Sequence, residues 1–128
     1  YTKSIALEQL SENSQEGKIS PKILKCLFKV VIDDILYEIS SVVDYVDYLK
    51  DNIKRLKLID SYNKKAESTD KEKNKDYYRE GMKLLFISGE NEANYSSILQ
   101  EYEDALKIRE ERVKALYNEI KIIKKLKV

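Results

Sequence analysis

Histidine and tryptophan are absent from this 128-residue chain, and cysteine occurs once. Without histidine there is no Ser-His-Asp or Cys-His arrangement, no histidine-containing metal motif and no imidazole base. The three glycines are isolated, so neither a GxGxxG motif nor a GxxxxGK[ST] phosphate loop exists. We therefore predict that the protein is not an enzyme and has no cofactor.

Carboxylate pairs remain as candidates for metal binding. Asp44 and Asp47 stand three residues apart on one helical face. Di-metal helical bundles, however, combine glutamates with a Glu-x-x-His motif, which this chain cannot provide. We interpret these carboxylates as solvated helix surface and predict no metal site.

Helix breakers are also scarce, since the chain has one proline and three glycines. That composition is typical of long helices and not of a sheet protein, whose turns need both residues. No apolar run is long enough for a transmembrane segment. The lone Cys26 cannot form an internal disulfide. We expect it to pack as a small buried hydrophobe, with an intermolecular disulfide or a modification as alternatives.

An apolar stripe with alternating steps of four and three residues runs through the second quarter of the chain. Its members are Phe28, Ile32, Ile35, Ile39, Val42, Val46, Leu49, Ile53 and Leu56. A second stripe near the C-terminus consists of Tyr95, Leu99, Tyr102, Leu106, Val113, Leu116, Ile120 and Ile123. Both have the a/d pattern of a helix that lays a narrow seam against another helix.

The stripes predict an all-α fold: an elongated three- or four-helix bundle, or an antiparallel helical hairpin, with coiled-coil-like heptad seams. We predict one helical domain over residues 1–128. Its expected elements are a weak helix 3–16, a long helix 20–62, a polar connector 63–70, a helix 71–87 and a long helix 90–126. Gly17 suits a C′ stop, and Ser20 followed by Pro21 suits a helix start.

The segment Ser88–Gly89 leaves two possibilities for the C-terminal half. Gly89 either ends a short third helix or sits at a kink in one continuous helix. The heptad phase does not carry smoothly from Tyr78–Phe86 into Tyr95–Ile123. We therefore favour a break.

Tyrosines stand on the long helix away from its apolar seam. Tyr37 and Tyr48 share a face with Ser41 and Asp44, and Tyr45 flanks that face. Tyrosine is enriched at interface hot spots, and residues 33–49 hold five acids and no base, which would attract a basic partner. We predict these five residues as a partner-binding surface. The alternative, favoured by the general richness in tyrosine, is that the rings pack sideways against other helices.

The C-terminal stretch is basic and amphipathic. Lys121, Lys124, Lys125 and Lys127 are candidates for contact with phosphates or with an anionic membrane surface. The competing interpretation is stronger, because cations suit a helix C-terminus and Ile120 and Ile123 continue the seam. The net charge of +1 also argues against nucleic-acid binding by the whole domain.

The chain begins at Tyr1 without a methionine, so we expect it to derive from a longer precursor, and a secreted or surface-exposed bacterial protein is favoured. The lysine-rich composition is typical of an AT-rich genome. The principal functional hypothesis is a non-catalytic protein–protein interaction module that uses the tyrosine-bearing face. The alternative is a structural component that self-associates, for instance as a homodimer, through its seams. Nucleic-acid or peripheral membrane contact is a minor third hypothesis.

Overall fold

The computed structural model describes residues 2–17 and 19–126. Four helices follow one another: α1 (Lys3–Gln15), α2 (Pro21–Ser68), α3 (Glu72–Leu85) and α4 (Tyr95–Leu126). No strand occurs in these residues, and apolar side chains of the helices pack against each other. The prediction of an all-α helical bundle is confirmed.

The ends of the first two helices follow from their capping residues. The hydroxyl of Thr2 accepts a hydrogen bond from the backbone N–H of Ile5 at 3.3 Å and caps α1. Gly17 adopts φ +78°, a left-handed conformation that glycine enters without steric cost, and it ends α1 as predicted. Pro21 opens α2, where the carbonyl of Ser20 accepts the first helical hydrogen bond from Leu24 at 3.0 Å.

Helix α2 continues to Ser68, although the sequence predicted its end at residue 62 and a polar connector from 63 to 70. Pairs at i,i+4 spacing support the extra turns: Lys64 with Asp60 at 2.9 Å, and Asn63 with Glu67 at 3.3 Å. Ala66, the single apolar residue of this segment, is only 1% exposed. The buried side chain of Ala66 therefore helps to keep this segment helical, although its composition resembles that of a solvated linker.

The predicted break before the last helix is confirmed. Helix α3 ends at Leu85, and Gly89 lies in the following turn with φ +87°. The turn contains a hydrogen bond from the N–H of Glu90 to the carbonyl of Ile87 at 3.0 Å. Gly89 therefore acts inside the turn, several residues after the helix end, and α4 starts at Tyr95 where residue 90 was predicted.

The chain divides into two compact units. Unit 1 comprises Tyr1–Tyr45 and Arg109–Val128. Its core joins α1, α2 and α4 through the buried residues Leu7, Phe28, Ile35, Ile39, Leu116, Ile120 and Ile123. Contacts pair rising numbers on α2 with falling numbers on α4, as in Glu38 with Arg112 and Tyr45 with Arg109. The two helices are thus antiparallel within this unit.

Unit 2 comprises Val46–Ile108. A cluster at its centre consists of the buried residues Leu56, Ile59, Met82 and Tyr95. Val46, Leu49 and Ile53 continue the predicted stripe and are buried as well. Across the described parts of the chain, no helix is long and apolar enough to cross a membrane.

Candidate functional site

The exposed surface of α2 in unit 1 carries the predicted tyrosine-bearing face. Tyr37 is two residues from both Ile35 and Ile39, which places it about 200° round the helix from these buried side chains. Tyr37 is accordingly 77% exposed. Ser41 and Asp44 follow at helical spacing and are also exposed. The structure therefore brings Tyr37, Ser41 and Asp44 onto one solvent-facing strip.

Tyr45 lies at the edge of this strip and is partly engaged by α4. The guanidinium carbon of Arg109 is 5.2 Å from the centroid of the Tyr45 ring, within the range of a cation–π interaction. Tyr45 as a whole nevertheless remains 40% exposed. Tyr45 therefore packs sideways against α4 and is also exposed to solvent.

Tyr48 belongs to unit 2 and packs there against α4. It is hydrogen-bonded to Tyr102. The pKa of the Tyr102 phenol is raised, first by burial and second by this hydrogen bond. About half of the Tyr48 side chain is exposed. The five predicted contact residues are thus all exposed at least in part, and two of them also contact α4.

The strip in unit 1 is acidic. Asp33 and Asp34 precede Tyr37, and Asp44 follows it, all of them exposed. Among the described residues no ion pair is formed by any of these three aspartates. Glu38 differs, because Arg112 binds its Oε2 through Nε at 2.8 Å and Nη2 at 2.6 Å. We define the acidic tyrosine strip as Asp33, Asp34, Tyr37, Ser41 and Asp44.

The predicted basic contact residues lie at the C-terminal end of α4. Lys121 and Lys125 are each two residues from the buried Ile123 and are exposed, whereas Lys127 lies outside the described residues. Lys124 lines a shallow groove of about 430 Å³ together with Lys25 and Lys29 of α2.

This lysine groove also contains Ile32 at its wall and Asp33 at its edge. The sequence did not indicate that α2 lysines would join Lys124, because a one-dimensional pattern cannot show which helix ends meet. The lining is a positively charged surface of three lysines, with the carboxylate of Asp33 beside it.

Cys26 is exposed, and the expectation that it would be buried is wrong. Its neighbours in sequence, Leu24 and Leu27, pack partly against the core of unit 1. Cys26 itself is two residues before the buried Phe28 and therefore faces the opposite side of α2. The prediction failed because it relied on the apolar neighbours of Cys26 in sequence and did not consider which side of the helix Cys26 occupies.

Unit 2 contains a hydrogen-bonded clamp that the sequence did not indicate. Arg55 on α2 donates two hydrogen bonds to Glu90, from Nη1 to Oε1 at 2.5 Å and from Nη2 to Oε2 at 2.7 Å. Nη1 also donates to the carbonyl of Leu85, the last residue of α3, at 3.0 Å. Glu90 in turn accepts from the backbone N–H of Ile87 at 3.1 Å. The clamp holds the turn that follows α3.

The electrostatics of unit 2 fit a structural role for these groups. The hydrogen bond from Arg55 lowers the pKa of Glu90 against the opposing effect of burial. The Tyr95 hydroxyl donates to Asp60 Oδ1 at 2.8 Å, and burial together with this bond raises the pKa of Tyr95 to about 12. The pKa of Asp60 is lowered, chiefly by Lys64 and then by Tyr95. Each group is stabilised in the charge state it already has at neutral pH.

Among the residues described here, no group of three or more His, Cys, Asp or Glu side chains is arranged to hold a metal ion. No protein-family model matches the chain, and the comparisons with curated proteins and with solved structures find no match either.

Proposed function

We propose that this chain is a non-catalytic helical module that binds another protein through the acidic tyrosine strip. The observation that carries the proposal is Tyr37, a residue that is 77% exposed between aspartates. An exposed tyrosine offers a large amphipathic contact with few rotatable bonds, so ordering it on binding costs little entropy. Such a residue stabilises the free protein little and fits a binding role.

Charge specifies the chemistry of the partner. Asp33, Asp34 and Asp44 surround Tyr37 on an open helix surface. Like-charged groups on one surface raise the encounter rate with an oppositely charged one and disfavour acidic competitors. The partner that fits is a basic protein surface, such as a lysine-rich amphipathic helix.

The test measures binding of a fluorescently labelled amphipathic peptide composed of leucine and lysine, with a leucine–glutamate peptide of the same pattern as the charge control. We expect Tyr37→Ala to weaken binding of the lysine peptide by about 5- to 30-fold, the effect of losing a hot-spot tyrosine. Helicity by circular dichroism should be unchanged because the ring is exposed.

The matched control is Tyr77→Ala, since Tyr77 is 70% exposed on α3 and outside the strip. It should alter affinity by less than about twofold. Equal losses in the two variants would contradict the proposal. Preferential binding of the glutamate peptide would instead favour the lysine groove, and with it the phosphate- or membrane-binding hypothesis, as the working surface.

Self-association through the apolar seam is the alternative function. Val46 and Leu49, central members of that seam, are buried within unit 2 of one chain. Sharing them between copies requires that this core open first, which costs the free energy of their burial. This observation supports a heterologous partner over an assembly built on the seam.

A further inference from the structure

A cavity of about 290 Å³ lies in unit 1, where α1, the beginning of α2 and the end of α4 meet. Its apolar wall consists of Pro21, Leu24, Phe28 and Leu126. Phe28 is buried in the core, while Leu24 and Leu126 pack against that core and are only partly covered. The cavity is thus an apolar recess that continues the core of unit 1 towards the surface.

Polar groups of α1 and α2 complete the lining. Ser14 and Gln15 of α1 supply a hydroxyl and an amide, and Lys25 of α2 supplies the cation. Lys25 also lines the lysine groove beside Lys29 and Lys124, so further positive charge lies near this wall. No carboxylate among the described residues lines the cavity.

We propose that this cavity binds a small amphipathic monoanion, an alkyl carboxylate, with its chain in the recess and its carboxylate paired with Lys25. Small-molecule sites are concave and mostly apolar, with a few polar groups that fix the orientation of the ligand. The wall formed by Leu24, Phe28 and Leu126 meets the first requirement. Lys25 and Gln15 meet the second, since the ammonium pairs with a carboxylate and the amide N–H groups donate to its oxygens.

The size of the recess sets the length of the ligand. An apolar cavity of roughly 150 Å³ stays dry and binds one benzene molecule. The present cavity has about twice that volume. It therefore suits a medium-length chain such as that of octanoate. The driving force is removal of the alkyl chain from water, and Lys25 provides the discrimination between headgroups.

The experiment compares octanoate, octanol and octylammonium by isothermal titration calorimetry with the whole chain. The three probes share one alkyl chain and differ in charge. We expect octanoate to bind at one saturable site about fivefold or more tightly than octanol, as a single partly exposed ion pair allows, and octylammonium to bind least.

Two variants locate the site. Lys25→Gln should remove the preference for octanoate over octanol, whereas Lys22→Gln, one turn earlier on α2 and outside the cavity lining, should preserve it. Ser14→Phe places a ring in the recess and should abolish binding of all three probes. Nuclear Overhauser contacts between the octanoate methylenes and Phe28 or Leu126 locate the chain independently of any variant.

Three results would overturn the proposal: no saturable octanoate binding, equal affinity for octylammonium, or contacts to residues outside the cavity. Each is independent of the peptide experiment, because the residues of the acidic tyrosine strip are not among those that line the cavity. The two proposals therefore succeed or fail separately.

Discussion

Arginine is used sparingly and for specific geometry in this protein. The chain has only four arginines among its 24 basic side chains. Three of them make contacts between helices or with the turn after α3: Arg55 with Glu90, Arg112 with Glu38, and Arg109 over Tyr45. A planar guanidinium binds a carboxylate through two parallel bonds or stacks on a ring, which an ammonium does not reproduce. In a lysine-rich chain, the few arginines could therefore have been predicted to make structural contacts.

The substitution Arg55→Lys tests this residue-scale argument. A lysine side chain keeps the charge but loses the fork that binds Glu90 and the Leu85 carbonyl, while the Glu90 side chain remains only 3% exposed. We expect urea denaturation at pH 7 to show a loss of about 1–2 kcal/mol in the free energy of unfolding. The control Arg79→Lys, on the exposed surface of α3, should change it by less than about 0.5 kcal/mol.

The ion pair between Arg55 and Glu90 also predicts how the free energy of unfolding changes with pH. Arg55 lowers the pKa of Glu90 in the folded protein. A carboxyl group with a depressed folded pKa contributes stability above its unfolded pKa of about 4.3, and this contribution is lost as the pH falls through the folded pKa. The difference between wild type and Arg55→Lys should therefore be full at pH 7 and shrink below about pH 4. A difference that does not change with pH would show that the fork contributes only packing.

At the scale of the element, two of the three glycines lie in segments between helices and one lies within a helix. Both glycines at positive φ, Gly17 and Gly89, lie in the segments that follow helices α1 and α3. Gly81 instead lies inside α3, where an added Cβ would be 3.5 Å from the Tyr62 ring, an ordinary van der Waals distance. The glycines therefore fall into two groups, although they look alike in sequence.

Gly89→Ala and Gly81→Ala form a matched pair. An added Cβ at Gly89 meets no atom within 4 Å, so the cost is the left-handed conformation alone. We expect Gly89→Ala to lower the free energy of unfolding by about 1 kcal/mol. Gly81→Ala should raise it by up to about 1 kcal/mol, because alanine is the better helix former. Thermal denaturation checks both, and shifts in the same direction would contradict the assignment.

At the scale of the whole molecule, the seams predicted from sequence are satisfied inside one chain. Leu49 is fully buried in unit 2, and Ile35 and Ile123 are buried in the core of unit 1. Each unit covers its own apolar stripe with helices of the same chain. The acidic tyrosine strip lies outside these cores and remains available to a partner.

Leu49→Glu distinguishes a closed seam from a shared one. A buried charge without a partner is strongly destabilising, so we expect this variant to lose helical circular dichroism. The wild type should have a mass near 15.0 kDa by light scattering over a range of concentrations. Lys50 is the next residue and is exposed, so the variant Lys50→Glu serves as the control and should stay folded. A wild-type dimer that Leu49→Glu converts into folded monomers would support assembly through the seam.

The helical class, the buried stripes and the break near Gly89 follow from the order of the residues, because helical period, phase and backbone freedom are local properties. Packing in the folded chain sets three further features: α2 runs on to Ser68, Cys26 is exposed and Arg55 binds Glu90, 35 residues away. It also sets which lysines line the groove and brings three helices together around the cavity. These features depend on which helix faces which. That choice is made by the summed packing of side chains distant in sequence, and a local pattern does not contain it.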